Sequence, residues 1–196
     1  MKRLILTILL LIMATAFAQQ AATVGGVVKA EAPLPDTVRV GIHVIDLDGR
    51  TLLEVASSPL VVGTFSVTTV PLATDQLQPF RGGAIPLPGL GTEYRVSPEG
   101  VNFARAVTKV YEDNDGSESW SGPENDVGYL GVASLEGGGF FVLLFVDRDT
   151  TLSGRGTDLA LRAGWNVFTV QVNDQGDLSF SALDSINNAV LDMFRP

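Results

Sequence analysis

Apolar and polar positions alternate with a period of two through most of the chain. In residues 37–45, Val38, Val40, Ile42 and Val44 share one face, and Arg39, Gly41 and His43 share the other. That is the pattern of a strand buried on one side. Residues 64–70 read the same way and stop at Pro71. Residues 103–111 alternate less cleanly, with Arg105, Val107 and Lys109 on one face. Phe140–Val146 is apolar at every position, which predicts a central strand covered on both sides. In residues 165–172, Phe168, Val170 and Val172 fall together, and Leu178, Phe180 and Ala182 resume the alternation after Asn173-Asp174-Gln175-Gly176. Two alternating runs around a short turn predict a hairpin. Fainter strand signals cover residues 23–29, 51–56, 129–134 and 158–162. The pattern sums to about nine or ten strands separated by turn signals, as in an antiparallel sandwich or barrel. The expected fold is all-β, an antiparallel β-sandwich. Only the C-terminus departs from it. Leu183, Ile186, Val190 and Phe194 recur at roughly helical spacing behind Asp184 and Ser185, which predicts a short C-terminal helix.

The first eighteen residues have a different character. Lys2 and Arg3 precede an apolar run from Leu4 to Met13 that is broken only by Thr7, and Ala16-Phe17-Ala18 follows. A basic start, an apolar stretch and small residues at alternate positions make a secretory signal peptide over residues 1–18, cleaved after Ala18. The run is short for a membrane span, which needs roughly 20 apolar residues. No cysteine follows it to carry a lipid anchor. The expected product is exported, periplasmic or extracellular, and not a lipoprotein. It has no later segment apolar enough to span a bilayer, and residues 19–196 form one sandwich domain. The alternative is two lobes, 19–71 and 101–196, joined by residues 71–100, which hold five of the ten prolines. That stretch is a long crossover or a binding loop.

Composition narrows the chemistry. The 196 residues contain no cysteine and one histidine, so disulfides, thiol nucleophiles, Fe–S clusters and cysteine- or histidine-rich zinc sites are excluded. The formal net charge is −9, and losing Lys2 and Arg3 with the signal peptide makes the mature chain two charges more acidic. Charge of that sign argues against nucleic acid as a partner. His43 would have to serve any serine triad, and there is no G-x-S-x-G elbow. The expectation is a surface or hydrogen-bonded histidine and no catalytic residues.

Residues 112–126 carry six carboxylates and no base. Asp113-Asn114-Asp115-Gly116-Ser117 sets oxygen donors at alternating positions around a glycine, and Asp126 follows in the same segment. Calcium takes six to eight oxygens, so Asp113, Asp115, Ser117 and Asp126 are the candidate ligands. An EF-hand is rejected, because its first and twelfth positions would be Tyr111 and Gly122. A looser calcium site and a solvated acidic turn remain the two readings. Trp120 lies in the same loop, either as a contact residue for a partner or as a lid on the sandwich. Asp147 and Asp149 flank Arg148 at the end of the most apolar strand. A carboxylate hydrolase would need one of them to face an acid of the 112–126 loop across a cleft.

Residues 23–71 carry a further pattern: Gly26-Val27-Val28, the long run Val38 to Val44, Gly63-Thr64-Phe65-Ser66-Val67, then Val70-Pro71. This resembles the carboxypeptidase-regulatory-like and transthyretin-like sandwich modules of secreted bacterial proteins. The remainder, with Phe145-Val146-Asp147-Arg148-Asp149 and Gly164-Trp165-Asn166, is similar to segments of uncharacterised exported bacterial proteins. The resemblance implies a non-catalytic structural or binding accessory with a protein or envelope partner. It implies no obligatory cofactor.

Overall fold

The computed structural model describes residues 19–80, 94–122, 130–154, 157–172 and 178–194. The expected signal peptide, the middle of the Pro/Gly-rich stretch, Glu124 and Asp126 lie outside the described residues. The strands are β1 (Thr23–Ala30), β2 (Val38–Ile45), β3 (Thr51–Pro59), β4 (Thr64–Thr68), β5 (Gln78–Pro79), β6 (Tyr94–Ser97), β7 (Asn102–Glu112), β8 (Leu130–Leu135), β9 (Phe140–Val146), β10 (Thr150–Gly154), β11 (Thr157–Leu161), β12 (Gly164–Val172), β13 (Leu178–Leu183) and β14 (Ser185–Phe194). One 3-10 turn, Thr74–Gln76, interrupts them. Among the described residues there is no α-helix, and so none long and apolar enough to cross a membrane.

The strands form an open sandwich, not a closed barrel. The largest sheet runs β13-β12-β9-β7-β2-β3, with β5 added beside β7. A four-stranded sheet, β4-β1-β14-β8, covers one of its faces, and a three-stranded sheet, β11-β10-β6, packs on part of the other. β9 lies inside the large sheet, and its alternate residues feed two cores. Leu143 and Phe145 join Val40, Ile42, Val44, Trp165, Ile186 and Leu191. Val142, Leu144 and Val146 join Phe103, Leu152, Leu161 and Phe168. This two-sided burial is why Phe140–Val146 has no polar position. Trp165 is fully buried against Phe145 and donates its indole N–H to the Val70 carbonyl at 2.8 Å. A side chain of this size contributes about 1.5–3 kcal/mol or more by burial.

The segments before and after residues 71–100 share sheets: β1 pairs with β14, and β2 with β7. Gln20, the second residue after the expected cleavage point, is bonded to Ala163 and Trp165 across the side-chain-free surface of Gly164.

Two expectations are corrected. The described residues form fourteen strands, because β5, β6, β10 and β14 carry too little alternation to be read from the sequence. The C-terminal helix is instead β14, a central strand between β1 and β8. Its register shifts against β1, with Val24 opposite Ile186 but Gly26 opposite Ala189. The extra residue widens one apolar interval from two to three, and the spacing then imitates a helix.

Candidate functional site

The outer face of the large sheet, on the side away from the four-stranded sheet, is covered in two parts. The three-stranded sheet covers one end, and residues 113–122 fold over the other. On that second part the cross-strand register brings Arg39, Gly41 and His43 of β2 beside Tyr111, Lys109 and Val107 of β7. From β3 come Pro59, Ser57 and Glu54.

Glu54 reaches this face through a bulge. Ile42 pairs with Ala56 and His43 with Glu54, which leaves Val55 as the extra residue. Strict alternation would aim Val55 at His43 and turn Glu54 toward the apolar core. The inserted residue reverses this, a common use of a bulge.

His43 is fully buried. Its Nε2 lies 3.8 Å from Glu54 Oε2, and among the described residues neither ring nitrogen has a hydrogen-bond partner. Tyr111 and Trp120 stand edge-on to the imidazole, with ring centroids at 5.9 and 5.4 Å. Gly41 makes the space, since a Cβ there would sit 2.6 Å from His43 Nε2. Burial, aided by the positive charge of Lys109, lowers the histidine pKa from 6.5 to about 4. At neutral pH the imidazole is therefore uncharged despite its carboxylate neighbour. Among the described residues the Tyr111 hydroxyl makes no well-formed hydrogen bond, though Ser57 and Glu54 lie near enough to act on it. Burial is the main cause that raises it to about 12.

The loop is tied down at several points. The Trp120 backbone N–H donates to Glu54 Oε2 at 2.8 Å, so one carboxylate meets both the histidine and the loop. Ser57 Oγ donates to the Glu118 carbonyl at 3.1 Å and accepts from Arg39 Nε at 3.3 Å. The Trp120 side chain is half-buried over His43 as a lid.

Two of the proposed calcium ligands, Asp113 and Asp115, act inside this loop as hydrogen-bond acceptors. Asp113 is buried, and its two oxygens accept the backbone N–H groups of Ser117 and Glu118 at 3.1 and 3.0 Å. Asp115 accepts the Ser117 N–H at 3.0 Å and the Ser121 hydroxyl at 2.8 Å. These bonds, with Ser117 foremost, lower the Asp115 pKa to about 2. Ser117 Oγ donates to the Ser119 carbonyl at 2.9 Å. Asp126 lies outside the described residues, and among these no group of three or more histidines and carboxylates converges as a metal site. Carboxylates that accept N–H and O–H donors stabilise a turn.

Asp147 and Asp149 are far from this loop. Asp147 accepts both the backbone and side-chain N–H of Asn102, at 3.2 and 2.9 Å, and pairs with Arg148 at 3.1 Å. Burial opposes its ionisation, but Arg148 and Asn102 outweigh that and lower its pKa. Asp149 accepts the Ala163 N–H at 2.8 Å. Asn102 begins β7 and Glu112 ends it, and ten residue steps of antiparallel strand span roughly 34 Å. Glycosidase carboxyl pairs stand roughly 5–9.5 Å apart. Asp147, bonded to Asn102, and Asp113, which follows Glu112, therefore stand at opposite ends of β7.

The sequence reading missed that His43 is buried and that Glu54 is the hub. Alternation places His43 on the polar face of β2, and only the fold-back of a distant loop covers that face. Glu54 gives no separate signal, because a bulge cannot be read from one strand's pattern.

No family model matches this chain, and no curated protein or solved structure is significantly similar to it.

Proposed function

We propose that this protein is an exported, non-catalytic structural or binding module of the cell envelope. One observation carries the reading: the groups best suited to chemistry are used to hold a loop onto the sheet. His43 is sealed under Trp120, Glu54 anchors the loop backbone, and the oxygens of Asp113 and Asp115 accept bonds from within the turn. The signal-like residues 1–18 supply the export part of the proposal. The likeness of residues 23–71 to transthyretin-like modules agrees with an accessory role, as an analogy of fold.

Two measurements test it. Fractionation of cells making the full chain, followed by intact mass, is expected to give an envelope or extracellular species beginning at Gln19. An uncleaved cytoplasmic species would overturn the export reading. The purified product is expected to leave glycoside, ester and peptide substrates unchanged. Hydrolysis that disappears in His43→Ala or Asp147→Asn would overturn the non-catalytic reading.

A further inference from the structure

His43 is shut away by a loop that is itself lightly held. Both ring nitrogens are buried and, among the described residues, unbonded, so a charge there would be buried without a hydrogen-bonded partner. The Tyr111 hydroxyl and the Trp120 indole N–H beside the ring are buried and unbonded too. β2 and β7 form the floor of this site, and Trp120 is its roof. Residues 114–119 are polar or glycine and exposed, so Trp120 is the one large apolar side chain that residues 113–122 lay on the sheet. Bonds from the Trp120 N–H to Glu54 and from Ser57 Oγ to the Glu118 carbonyl tie the stretch to β3. The bonds of Asp113 and Asp115 run within the turn, so they survive if the turn lifts as a unit. Glu118 also takes a left-handed φ of 59°, uncommon for a residue with a side chain. An element with so little buried apolar surface opens at a lower free energy than the core.

The surroundings of the imidazole make that opening sensitive to a proton. Glu54 faces it from β3, and Lys109 and Tyr111 from β7. Arg39 lies further along the same face of β2, bonded to Ser57, and Arg105 of β7 donates to the Asp46 carbonyl. From the loop, Asp113 and Asp115 are engaged by their own turn, and Glu118 meets β3 through its backbone carbonyl. Burial and Lys109 oppose a charge on His43, which holds its midpoint near 4 while the loop is closed. Once the loop lifts, water reaches the ring and the midpoint returns toward 6.5. A proton therefore binds the open form more tightly, and at pH 5 it favours opening by about 30-fold. Glu54 works in the same direction. Its oxygen nearest His43 is the one that anchors the Trp120 N–H. A carboxylate drawn about 1 Å toward an imidazolium, to make a charge-assisted bond, stretches that anchor.

We propose that residues 113–122 are an acid-released flap: when His43 takes up a proton, the flap lifts from β2, β3 and β7 while the sheets stay folded, and His43, Tyr111 and Trp120 become accessible. The event is local because the cores are built without the flap. No residue of 113–122 belongs to either cluster of buried apolar side chains. The switch is a property of the loop and the sheet face beneath it, and it stands whether or not the protein is exported.

Amide exchange of the purified protein tests this, read residue by residue by NMR at pH 7.5 and 5 and corrected for the intrinsic pH dependence of exchange. Protection of the Trp120 amide is expected to fall about 30-fold between the two. The Leu143 and Phe145 amides of β9 are expected to stay at least about tenfold better protected than Trp120 at both, because they exchange only when the core opens. His43→Leu is expected to hold Trp120 protection constant within about twofold. Glu54→Gln keeps an acceptor oxygen but loses the charge, and is expected to retain the fall. A second measurement does not need the His43 variant to fold: in Trp120→Ala, the His43 imidazole signals are expected to titrate near 6.5 instead of near 4. A His43 that still titrates near 4 without its roof overturns the proposal. So does a fall in Trp120 protection that persists in His43→Leu or vanishes in Glu54→Gln, which would assign it to another group. Protection of β9 that drops to the level of Trp120 overturns it as well, because the event is then global unfolding.

Discussion

His43 has the surroundings of a core residue and the sequence of a surface one. Burial and Lys109 keep it neutral down to about pH 4, although Glu54 is 3.8 Å away and Tyr111 and Trp120 pack on it. In the unfolded chain it takes up its proton near 6.5. Between those values the unfolded state binds more protons, so folding stability falls with falling pH. The contribution is complete above pH 6.5 and is lost as the pH drops toward 4, up to about 3 kcal/mol over that window. Denaturant titrations at pH 7.5, 5.5 and 4.5 are expected to show that loss, and His43→Leu is expected to flatten it. An equally steep dependence in the variant would show that other groups cause it. The alternation of β2 revealed which face His43 occupies. What covers that face comes from a loop about seventy residues further along, beyond the reach of any local pattern.

At the scale of elements, bulges separate what the period-two pattern predicts from what the fold does. The strands with clean alternation, β2, β4 and β12, and the wholly apolar β9 lie close to where the pattern puts them. The pairing of β3 with β2 carries two register shifts and that of β14 with β1 carries one, and these break the period-two pattern. In β3 the shift delivers Glu54 to His43; in β14 it makes a strand look helical. Deleting Val55 tests the first case. Restored alternation would turn Glu54 toward the apolar core, at a cost of about 3 kcal/mol or more for an unpaired buried charge. It would also free the Trp120 N–H of its acceptor. A large fall in the unfolding midpoint is expected, together with a red-shift of tryptophan fluorescence in the native baseline. A variant as stable as the parent would mean that β3 tolerates either register.

For the whole molecule, the central question is how a cysteine-free sandwich closes the outer face of its largest sheet. Three strands cover one end, and the acidic loop covers the other through hydrogen bonds between its own carboxylates and N–H groups. The stability of this closure should therefore not depend on a divalent cation. Thermal melts in excess chelator and in millimolar calcium are expected to coincide. Asp113→Ala is expected to lose about 1.5–3 kcal/mol in both, since two N–H groups lose a charged acceptor. A calcium-dependent rise in Tm, abolished by that substitution, would instead assign the loop to a metal site.

The sequence by itself determined the all-β class, the placement of the clearly alternating strands and the fully buried character of β9. It also determined which chemistries cysteine and histidine counts exclude. These follow from local periodicity and composition, which act within a strand or over the whole chain. The tertiary structure alone decided that β14 is a strand, that Glu54 turns outward, that His43 is sealed under Trp120 and that Asp113 and Asp115 bind their own turn. Each depends on pairing or packing between residues far apart in sequence, and the burial and hydrogen bonding that settle such pairings exist only once distant segments meet.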